Sequence, residues 1–160
     1  MIIVKNKREV HKMATIYFDM DGTLAALFFV KGYADMLANK DTTPYTIAKP
    51  LFDMVEMATT IRNLVAHGYT IGIISYVDDT MVEQATKAKI EWLNRYFPYV
   101  NSENIHIVTK ATPKSAFYHD GDILVDDAKA NREEWENKGG KTINAYFRAK
   151  VSMMENLKTL

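Results

Sequence analysis

The sequence contains no cysteine. This absence excludes a disulfide framework, a zinc site built on thiolates, an iron–sulfur cluster and a cysteine nucleophile. An excess of one sign of charge is also missing, because 20 lysine and arginine residues balance 20 aspartate and glutamate residues. Proteins that coat nucleic acid or an anionic membrane usually carry a basic excess. We therefore expect no stable binding to nucleic acid.

Long apolar runs are missing as well. No stretch approaches the roughly 20 residues that a membrane span needs, so no membrane contact is expected. Residues 1–12 carry charges, but the long apolar core of a signal peptide does not follow them. These features predict a cytoplasmic protein. With 160 residues, the chain has the usual length of one domain and can bury a core without disulfides.

Apolar β-rich segments alternate along the chain with segments of helical periodicity. The predicted strands are 14–18, 70–74, 105–108, 122–125 and 142–146. The predicted helices are 50–67, a helix capped by Asp78 or Asp79 that runs to about 97, 112–118, 128–138 and 150–160. This alternation is typical of βαβ units, so the predicted fold class is α/β. We expect a parallel sheet of about five strands between two layers of helices, a three-layer α/β/α Rossmann-like arrangement.

Two stretches fall outside this alternation. Residues 1–13 are rich in lysine and arginine and are interpreted as an N-terminal tail, which leaves 14–160 as a single domain. Residues 25–49 lack one sustained period and are too long for an ordinary β–α loop. They are expected to form a small insertion over the carboxyl ends of the strands.

Polar side chains follow the predicted strands where ligands bind in parallel sheets. Asp19 and Asp21 follow the first strand, and Ser75 follows the second. Lys110 and Lys114 lie beyond the third strand, and Asp126 and Asp127 follow the fourth. We expect these groups to share a small volume at one edge of the sheet.

Several carboxylates this close repel one another, and a hard divalent cation relieves the repulsion. Mg²⁺ prefers oxygen ligands together with waters and a phosphate oxygen. A lysine and a hydroxyl can bind the other oxygens of the same phosphate. The set therefore predicts phosphoryl transfer with Mg²⁺ as cofactor.

The Asp19-x-Asp21 spacing fits a division of labour between two carboxylates. Residues two apart on an extended segment point the same way. One carboxylate can attack phosphorus, and the other can protonate the leaving oxygen and then activate water. Gly22 allows a sharp turn and a close approach of the backbone to the ligand.

The motifs resemble those of the haloacid dehalogenase (HAD) superfamily of phosphohydrolases. The segment 18–24 (FDMDGTL) is similar to its first motif, 73–75 (IIS) to the second and 123–127 (ILVDD) to the fourth. The resemblance implies that Asp19 is the nucleophile and Asp21 the acid/base. It also implies a HAD-like fold with strand order 3-2-1-4-5.

The resemblance further implies how phosphate and metal are held. Ser75 would bind the transferring phosphoryl group. Mg²⁺ would be bound by Asp19, the backbone carbonyl of Asp21 and either Asp126 or Asp127. The third motif is a lysine without a rigid signature.

The most similar branch of the superfamily contains the 5′(3′)-deoxyribonucleotidases. Lys114, shortly before the fourth strand, resembles the third-motif lysine of this branch and is preferred over Lys110. The segment 121–127 and the residues up to Gly140 are similar to its C-terminal motif. Animal-type members carry a larger helical cap, whereas 25–49 looks like the minimal cap of small phage and bacterial homologues.

Aromatic side chains lie where a nucleobase could stack, which suits a nucleotide substrate. The alternative is that they only pack the small cap onto the core. Together with two residues of the first motif, they are the candidate substrate-binding residues: Gly22, Thr23, Phe28, Phe29, Tyr33 and Tyr76.

These observations predict a Mg²⁺-dependent phosphatase that forms an aspartyl-phosphate. The expected substrate is a (deoxy)nucleoside monophosphate. One alternative is a phosphatase for another small phosphate ester or for a nucleic-acid 3′-phosphate end. Another is a non-catalytic binding or regulatory protein of the same fold. Since a minimal cap leaves an open site that a second subunit can close, a monomer or a homodimer is expected.

Overall fold

The computed structural model describes residues 13–160 of the chain. The predicted tail, 1–13, lies outside the described residues except for Met13. Among the helices of 13–160, none combines the length and apolar character that crossing a bilayer requires.

Five parallel strands form one sheet in the order β3-β2-β1-β4-β5. The strands are β1 (Thr15–Phe18), β2 (Thr70–Tyr76), β3 (Ile105–Val108), β4 (Ile123–Asp126) and β5 (Lys141–Asn144). The α/β class and the strand order are therefore confirmed. Because all strands run the same way, their carboxyl ends meet along one edge of the sheet.

Helices cover both faces of the sheet. They are α1 (Tyr33–Ala38), α2 (Thr43–Ile47), α3 (Met54–Ala66), α4 (Val82–Tyr96), α5 (Lys129–Asn137) and α6 (Lys150–Lys158). A short 3-10 turn, Lys114–Phe117, stands where a helix is predicted over 112–118. The three-layer arrangement follows from the alternation of strands and helices.

The buried strands divide their side chains between the two faces. Ile16 and Phe18 of β1 share one core with Met57 of α3 and Leu157 of α6. The intervening Tyr17 points to the other face, which Trp135 of α5 covers. Fully burying an apolar side chain such as Phe18 contributes about 1.5–3 kcal/mol. Burial of β1 on both faces therefore holds in place the strand that leads into the first motif.

The helix starts differ from the sequence prediction in two places. The helix predicted from Pro50 begins at Met54, because Asp53 accepts the cap hydrogen bond and Pro50 stays outside the helix. Neither Asp78 nor Asp79 caps α4, which starts without a side-chain cap. Asp78 instead accepts the N–H of Thr80 at 2.8 Å in a local turn.

The stretch between β1 and α3 folds into a 3-10 turn (Leu27–Phe29) followed by α1 and α2. The indole N–H of Trp92 on α4 donates to the carbonyl of Ala48 at 2.7 Å. The N–H of Ala26 donates to the carbonyl of Lys49 at 2.8 Å, which brings the two ends of the stretch together. These bonds hold 25–49 against the rest of the protein beside the strand ends.

Candidate active site

The loop after β1 places two carboxylates at the middle of the sheet edge, since β1 is the central strand. The N–H of Asp19 donates to the carbonyl of Val125 on β4 at 2.9 Å and extends the ladder past the strand. The chain then turns tightly, with the N–H of Ala25 donating to the Met20 carbonyl at 2.8 Å. The turn keeps Asp21 at the same edge as Asp19.

Gly22 is required for this turn for two separate reasons. Its φ of +80° lies in the left-handed region that favours glycine. A Cβ at this position would also lie 2.5 Å from Oδ2 of Asp127 and 2.7 Å from the ring of Phe28. The absence of a side chain therefore lets Asp127 approach the backbone of the loop.

Lys114 joins two carboxylates in the interior of the site. Its Nζ lies 2.7 Å from Oδ1 of Asp19 and 2.6 Å from Oδ2 of Asp126. Burial lowers the pKa of Lys114, but the two carboxylates outweigh this effect and raise the pKa above its ordinary value. The alternative, Lys110, is exposed and borders a cavity beside Tyr76. The structure thus places Lys114, and not Lys110, at the acidic residues.

Three aspartates form the acidic cluster. Asp19, Asp126 and Asp127 offer carboxylate oxygens that lie within 4.8 Å of one another. Burial, and after it the charge of Asp19, raises the pKa of Asp126 to about 6 and that of Asp127 to about 7. A hard divalent cation would offset the repulsion between these carboxylates. The donor set consists of oxygens alone, which fits Mg²⁺.

The two aspartates after β4 are bonded differently. Beside its ion pair with the lysine, Asp126 accepts the N–H of Ala128 at 2.8 Å and the side-chain amide of Asn131 at 3.1 Å. Asp127 is half-buried, and its side chain accepts one long bond, 3.4 Å, from the hydroxyl of Thr23 among the described residues. The oxygens of Asp127 are therefore the less engaged of the two.

Thr23 bridges the ends of β1 and β4. Its Oγ1 lies 3.5 Å from Oδ2 of Asp19 and accepts the N–H of Asp127 at 3.1 Å. Since its hydroxyl is engaged between these residues, Thr23 orients the carboxylates from within the protein. The substrate contact of Thr23 stays a prediction.

Ser75 and Asp21 share a second buried lysine, Lys89 of α4. Its Nζ lies 2.5 Å from Oδ2 of Asp21 and 2.8 Å from Oγ of Ser75. Burial raises the pKa of Asp21, and the Lys89 ammonium opposes that rise. The site therefore contains two ammonium groups, each paired with different members of the predicted catalytic set.

The sequence analysis missed Lys89, although a signal was present. The inner stripe of α4 contains Ala85, Trp92 and Leu93, and position 89 lies on the same stripe by the helical period of 3.6. A lysine on a core-facing stripe needs a buried partner. That conflict between residue type and position marks Lys89 as a site residue.

Three of the four predicted aromatic residues line two separate cavities. Phe28 and Phe29 border an apolar cavity of about 240 Å³, which Gly22 and Asp127 also line. The ring of Tyr33 packs edge-on against Phe28, with centroids 5.7 Å apart. The site therefore opens into an aromatic cavity on the side of β4 and β5.

Tyr76 borders the other cavity, of about 470 Å³, together with Tyr45 and Lys110. Its hydroxyl accepts the backbone N–H of Lys114 at 3.1 Å. Tyr76 thus supports the lysine of the site and lies apart from Phe28 and Phe29. The four predicted aromatic residues do not form one stacking surface.

The segment after β5 supplies three residues that sequence reasoning missed. Tyr146 and Phe147 complete the apolar cavity, and Phe147 contacts Phe29 edge-on at a centroid distance of 6.0 Å. Lys150 donates to the carbonyls of Gly22, at 3.1 Å, and of Ala145. Their signal is their place near the end of the fifth strand, whereas the sequence prediction uses only the residues that follow the first four strands.

The comparisons with known proteins agree with this fold. Residues 40–150 match the family model "5' nucleotidase, deoxy (Pyrimidine), cytosolic type C protein" (NT5C). This range includes Ser75, Lys114, Asp126 and Asp127 and begins after Asp19 and Asp21. No curated protein matches the chain at a significant level of sequence similarity.

Two solved structures match the chain at low identity, and the first of them shares its fold. A hydrolase from Streptococcus pneumoniae TIGR4 has 11% identity and a TM-score of 0.53, covering 88% of this chain and 98% of its own. The HAD domain of the effector protein Lem4 from Legionella pneumophila has 17% identity and a TM-score of 0.49, covering 92% and 93%.

Fold and family match together define a HAD-superfamily phosphohydrolase of the nucleotidase-like branch. Within that class, the chain belongs to the 5′-nucleotidase family NT5C, because the family model matches more than half of it. Its enzyme class is thus that of the phosphoric monoester hydrolases. The resemblance seen in the sequence motifs is confirmed.

Proposed function

We propose that the protein is a Mg²⁺-dependent phosphatase for (deoxy)nucleoside monophosphates that works through an aspartyl-phosphate on Asp19. The observation that carries this proposal is the position of Asp19. Its carboxylate lies in an acidic cluster with Asp126 and Asp127 and 2.7 Å from the ammonium of Lys114. A nucleophilic carboxylate needs cations beside it to receive an anionic phosphate ester, here the Lys114 ammonium and the metal ion that the acidic cluster would hold.

The metal would be held by the carboxylates of Asp19 and Asp127 and by the backbone carbonyl of Asp21. Asp127 is preferred because the oxygens of Asp126 are used by Lys114, Ala128 and Asn131. When bound, Mg²⁺ supplies charge neutralisation for the phosphate oxygens and the carboxylates. Asp126 then orients Lys114.

In the first step, a carboxylate oxygen of Asp19 forms a bond to phosphorus and the bond to the ester oxygen breaks. Asp21 gives its proton to the departing oxygen. The hydroxyl of Ser75, which accepts from Lys89, keeps its own O–H to donate to a phosphoryl oxygen. Lys114 donates to another phosphoryl oxygen.

In the second step, Asp21 removes a proton from a water molecule. The water oxygen attacks phosphorus, the bond to Asp19 breaks, and inorganic phosphate leaves. The carboxylate of Asp19 and the protonated form of Asp21 are restored, so the cycle is balanced.

A nucleoside is the leaving group that the surroundings favour. The apolar cavity begins at Gly22 and Asp127 and is walled by aromatic side chains: Phe28, Phe29, Tyr146 and Phe147. Base–aromatic stacking contributes about 1–3 kcal/mol per base. The name of the family, a cytosolic deoxynucleotidase, supports the same substrate class and a cytoplasmic location.

The test is phosphate release from 5′- and 3′-nucleotides, sugar phosphates and simple aryl phosphates, with Mg²⁺ and with a chelator. We expect Mg²⁺-dependent turnover with nucleotides ranked first, and none in Asp19→Asn. If the wild type is as inactive as Asp19→Asn on every ester, the phosphatase proposal is wrong. A sugar phosphate ranked above every nucleotide would refute the nucleotide assignment alone.

We further propose a monomer or homodimer. Light scattering after gel filtration measures the mass directly. A mass above that of two chains would contradict this proposal.

A further inference from the structure

Lys89 is a buried cation whose hydrogen-bonding capacity is fully used. Its side chain is 1% exposed. The ammonium donates to Oδ2 of Asp21 at 2.5 Å, to Oγ of Ser75 at 2.8 Å and to the carbonyl of Tyr76 at 3.0 Å. The ring of Tyr45 lies 4.6 Å from the same nitrogen. A lysine ammonium has three N–H donors, and all three have acceptors here.

The position on α4 does not require a charge. Its buried neighbours on the helix are Ala85, Ala88, Trp92 and Leu93. An apolar side chain would be buried at lower cost, since an ammonium is buried only at a large desolvation penalty. The reason for a lysine must therefore lie in what its nitrogen contacts.

Two of those contacts have different tasks in the proposed reaction. Asp21 handles the proton of the leaving oxygen, and Ser75 binds the phosphoryl group. One rigid donor, anchored by a helix and by the Tyr76 carbonyl, fixes the distance between them. The other lysine of the site, Lys114, contacts Asp19 and Asp126 instead.

We propose that Lys89 is a positioning residue that holds Asp21 toward the leaving oxygen and Ser75 toward the phosphoryl group. This inference rests on the proposed function, in which Asp21 is the general acid. Lys89 itself does not touch the substrate in this proposal. Its loss should therefore act through Asp21 and Ser75.

The consequence is a dependence on the leaving group. Nucleoside monophosphates expel a poor leaving group that needs a proton from a correctly placed acid. p-Nitrophenyl phosphate expels a stable phenolate and needs little protonation. Since Asp21 also activates water in the second step, which both esters share, the difference belongs to kcat/KM, which reports the first step. A defect in positioning Asp21 must therefore lower kcat/KM for the first ester more than for the second.

The experiment compares kcat/KM and kcat on both esters for Lys89→Met, which keeps the unbranched shape up to Cε and removes the charged nitrogen. Misplacement of a catalytic group by about 1 Å costs about 100-fold in rate. We expect kcat/KM for the nucleotide to fall about 100-fold and kcat/KM for p-nitrophenyl phosphate to fall less than about 10-fold. Lys89→Arg should recover part of the loss.

Lys87→Met is the matched control, because Lys87 lies on the same helix and is exposed. It should leave both esters at the wild-type rate. Asp21→Asn gives a second control through a double-mutant cycle: adding Lys89→Met to Asp21→Asn should cause much less further loss on the nucleotide. If Lys89→Met does not fold, Lys89→Gln provides the same comparison with a polar neutral side chain.

Equal losses of kcat/KM on both esters, or a full additional loss in the Asp21→Asn background, would overturn the inference while leaving the phosphatase intact. Absence of any Asp19-dependent turnover in the wild type would overturn both proposals. The ratio of kcat/KM for the nucleotide to kcat/KM for p-nitrophenyl phosphate should fall in Lys89→Met and Lys89→Gln but not in Lys87→Met. That result would support the role proposed for Lys89.

Discussion

At the scale of the residue, two lysines and four aspartates form an ionic network whose central members are buried. Lys114 is 1% exposed and Asp126 is fully buried, so neither group keeps much water. The cost of burying each charge is offset only by its partners. Removing one partner therefore leaves an uncompensated charge, whereas removing an exposed charge does not.

Lys114→Met should destabilise the metal-free protein by about 3–5 kcal/mol, the range for breaking a buried ion pair. Asp19 and Asp126 would then face each other without a cation. Chemical denaturation with and without Mg²⁺ measures the loss, and Mg²⁺ should restore part of it. Lys110→Met, at an exposed position near the same strand, should change the free energy of unfolding by less than about 0.5 kcal/mol.

Gly22→Ala should weaken Mg²⁺ binding as well as stability. The new Cβ would displace Asp127, which lies 2.5 Å from its position. Gly32→Ala is the matched control, because Gly32 also has a positive φ, +74°, but no heavy atom within 4 Å of the added Cβ.

Both glycine variants should lose about 1–2 kcal/mol from backbone strain. Only Gly22→Ala should also lose Mg²⁺ affinity in titration calorimetry. Equal Mg²⁺ affinity in the two variants would show that Asp127 is not held by this contact.

At the scale of the element, the periodicity of the sequence was sufficient for the sheet. The buried runs that became β1, β2 and β4 are bounded by turn residues, and the helices between them force a parallel arrangement. The strand order came from the family resemblance. Helix starts were less accurate, because a nearby polar residue can bond a local turn instead of a cap, as Asp78 does with Thr80.

The site was predictable where it followed a strand and less so where a helix reached into it. Asp19, Ser75 and Asp126 each stand at the end of a strand, which sequence spacing reveals. Lys89 and Lys150 reach the site from helices that are distant in the chain. Their contacts depend on tertiary packing, and only the polar residue on an apolar helix stripe signals Lys89.

The N-terminus of α6 anchors the loop after β1. Lys150 donates to the carbonyls of Gly22, Thr23 and Ala145, the second of these at 2.7 Å. Lys150→Met should cost about 1.5–3 kcal/mol, the range for hydrogen bonds to a charged group. It should also lower kcat about 10-fold, because the loop carries the catalytic aspartates.

Thermal unfolding and steady-state kinetics measure these two effects. Lys129→Met on α5 removes an exposed lysine that pairs with Glu133 and should cost no more than about 0.5 kcal/mol. Unchanged stability in Lys150→Met would mean that the three carbonyls find other donors.

At the scale of the whole molecule, the site lies between two cavities of different character. One is walled by aromatic side chains from 25–49 and from the segment after β5. The other lies over β2 and β3 and contains charged groups, among them Asp79 and Lys110. We propose that 25–49 acts as the minimal cap, with the aromatic cavity taking the nucleobase.

Phe147→Ala should lower kcat/KM for nucleoside monophosphates at least about 5-fold, since stacking contributes about 1–3 kcal/mol per base. Ribose 5-phosphate, which has the phosphate and the sugar but no base, should be unaffected. The measurement is the ratio of kcat/KM for the two substrates.

Val151→Ala is the control for this ratio, since it removes a 74% exposed apolar side chain from the same helical region. The ratio should stay at the wild-type value. A Phe147→Ala variant that slows both substrates equally would assign the ring to packing instead of base binding.

The central place of β1 links activity to the last structure that the protein loses. β1 has a neighbour on each side, and its four residues are buried. Backbone amides of such strands exchange with solvent only when the whole molecule opens, whereas peripheral segments open locally at lower cost. Asp19 is thus attached to the most protected part of the chain, and loss of the nucleophile's geometry on heating should coincide with global unfolding.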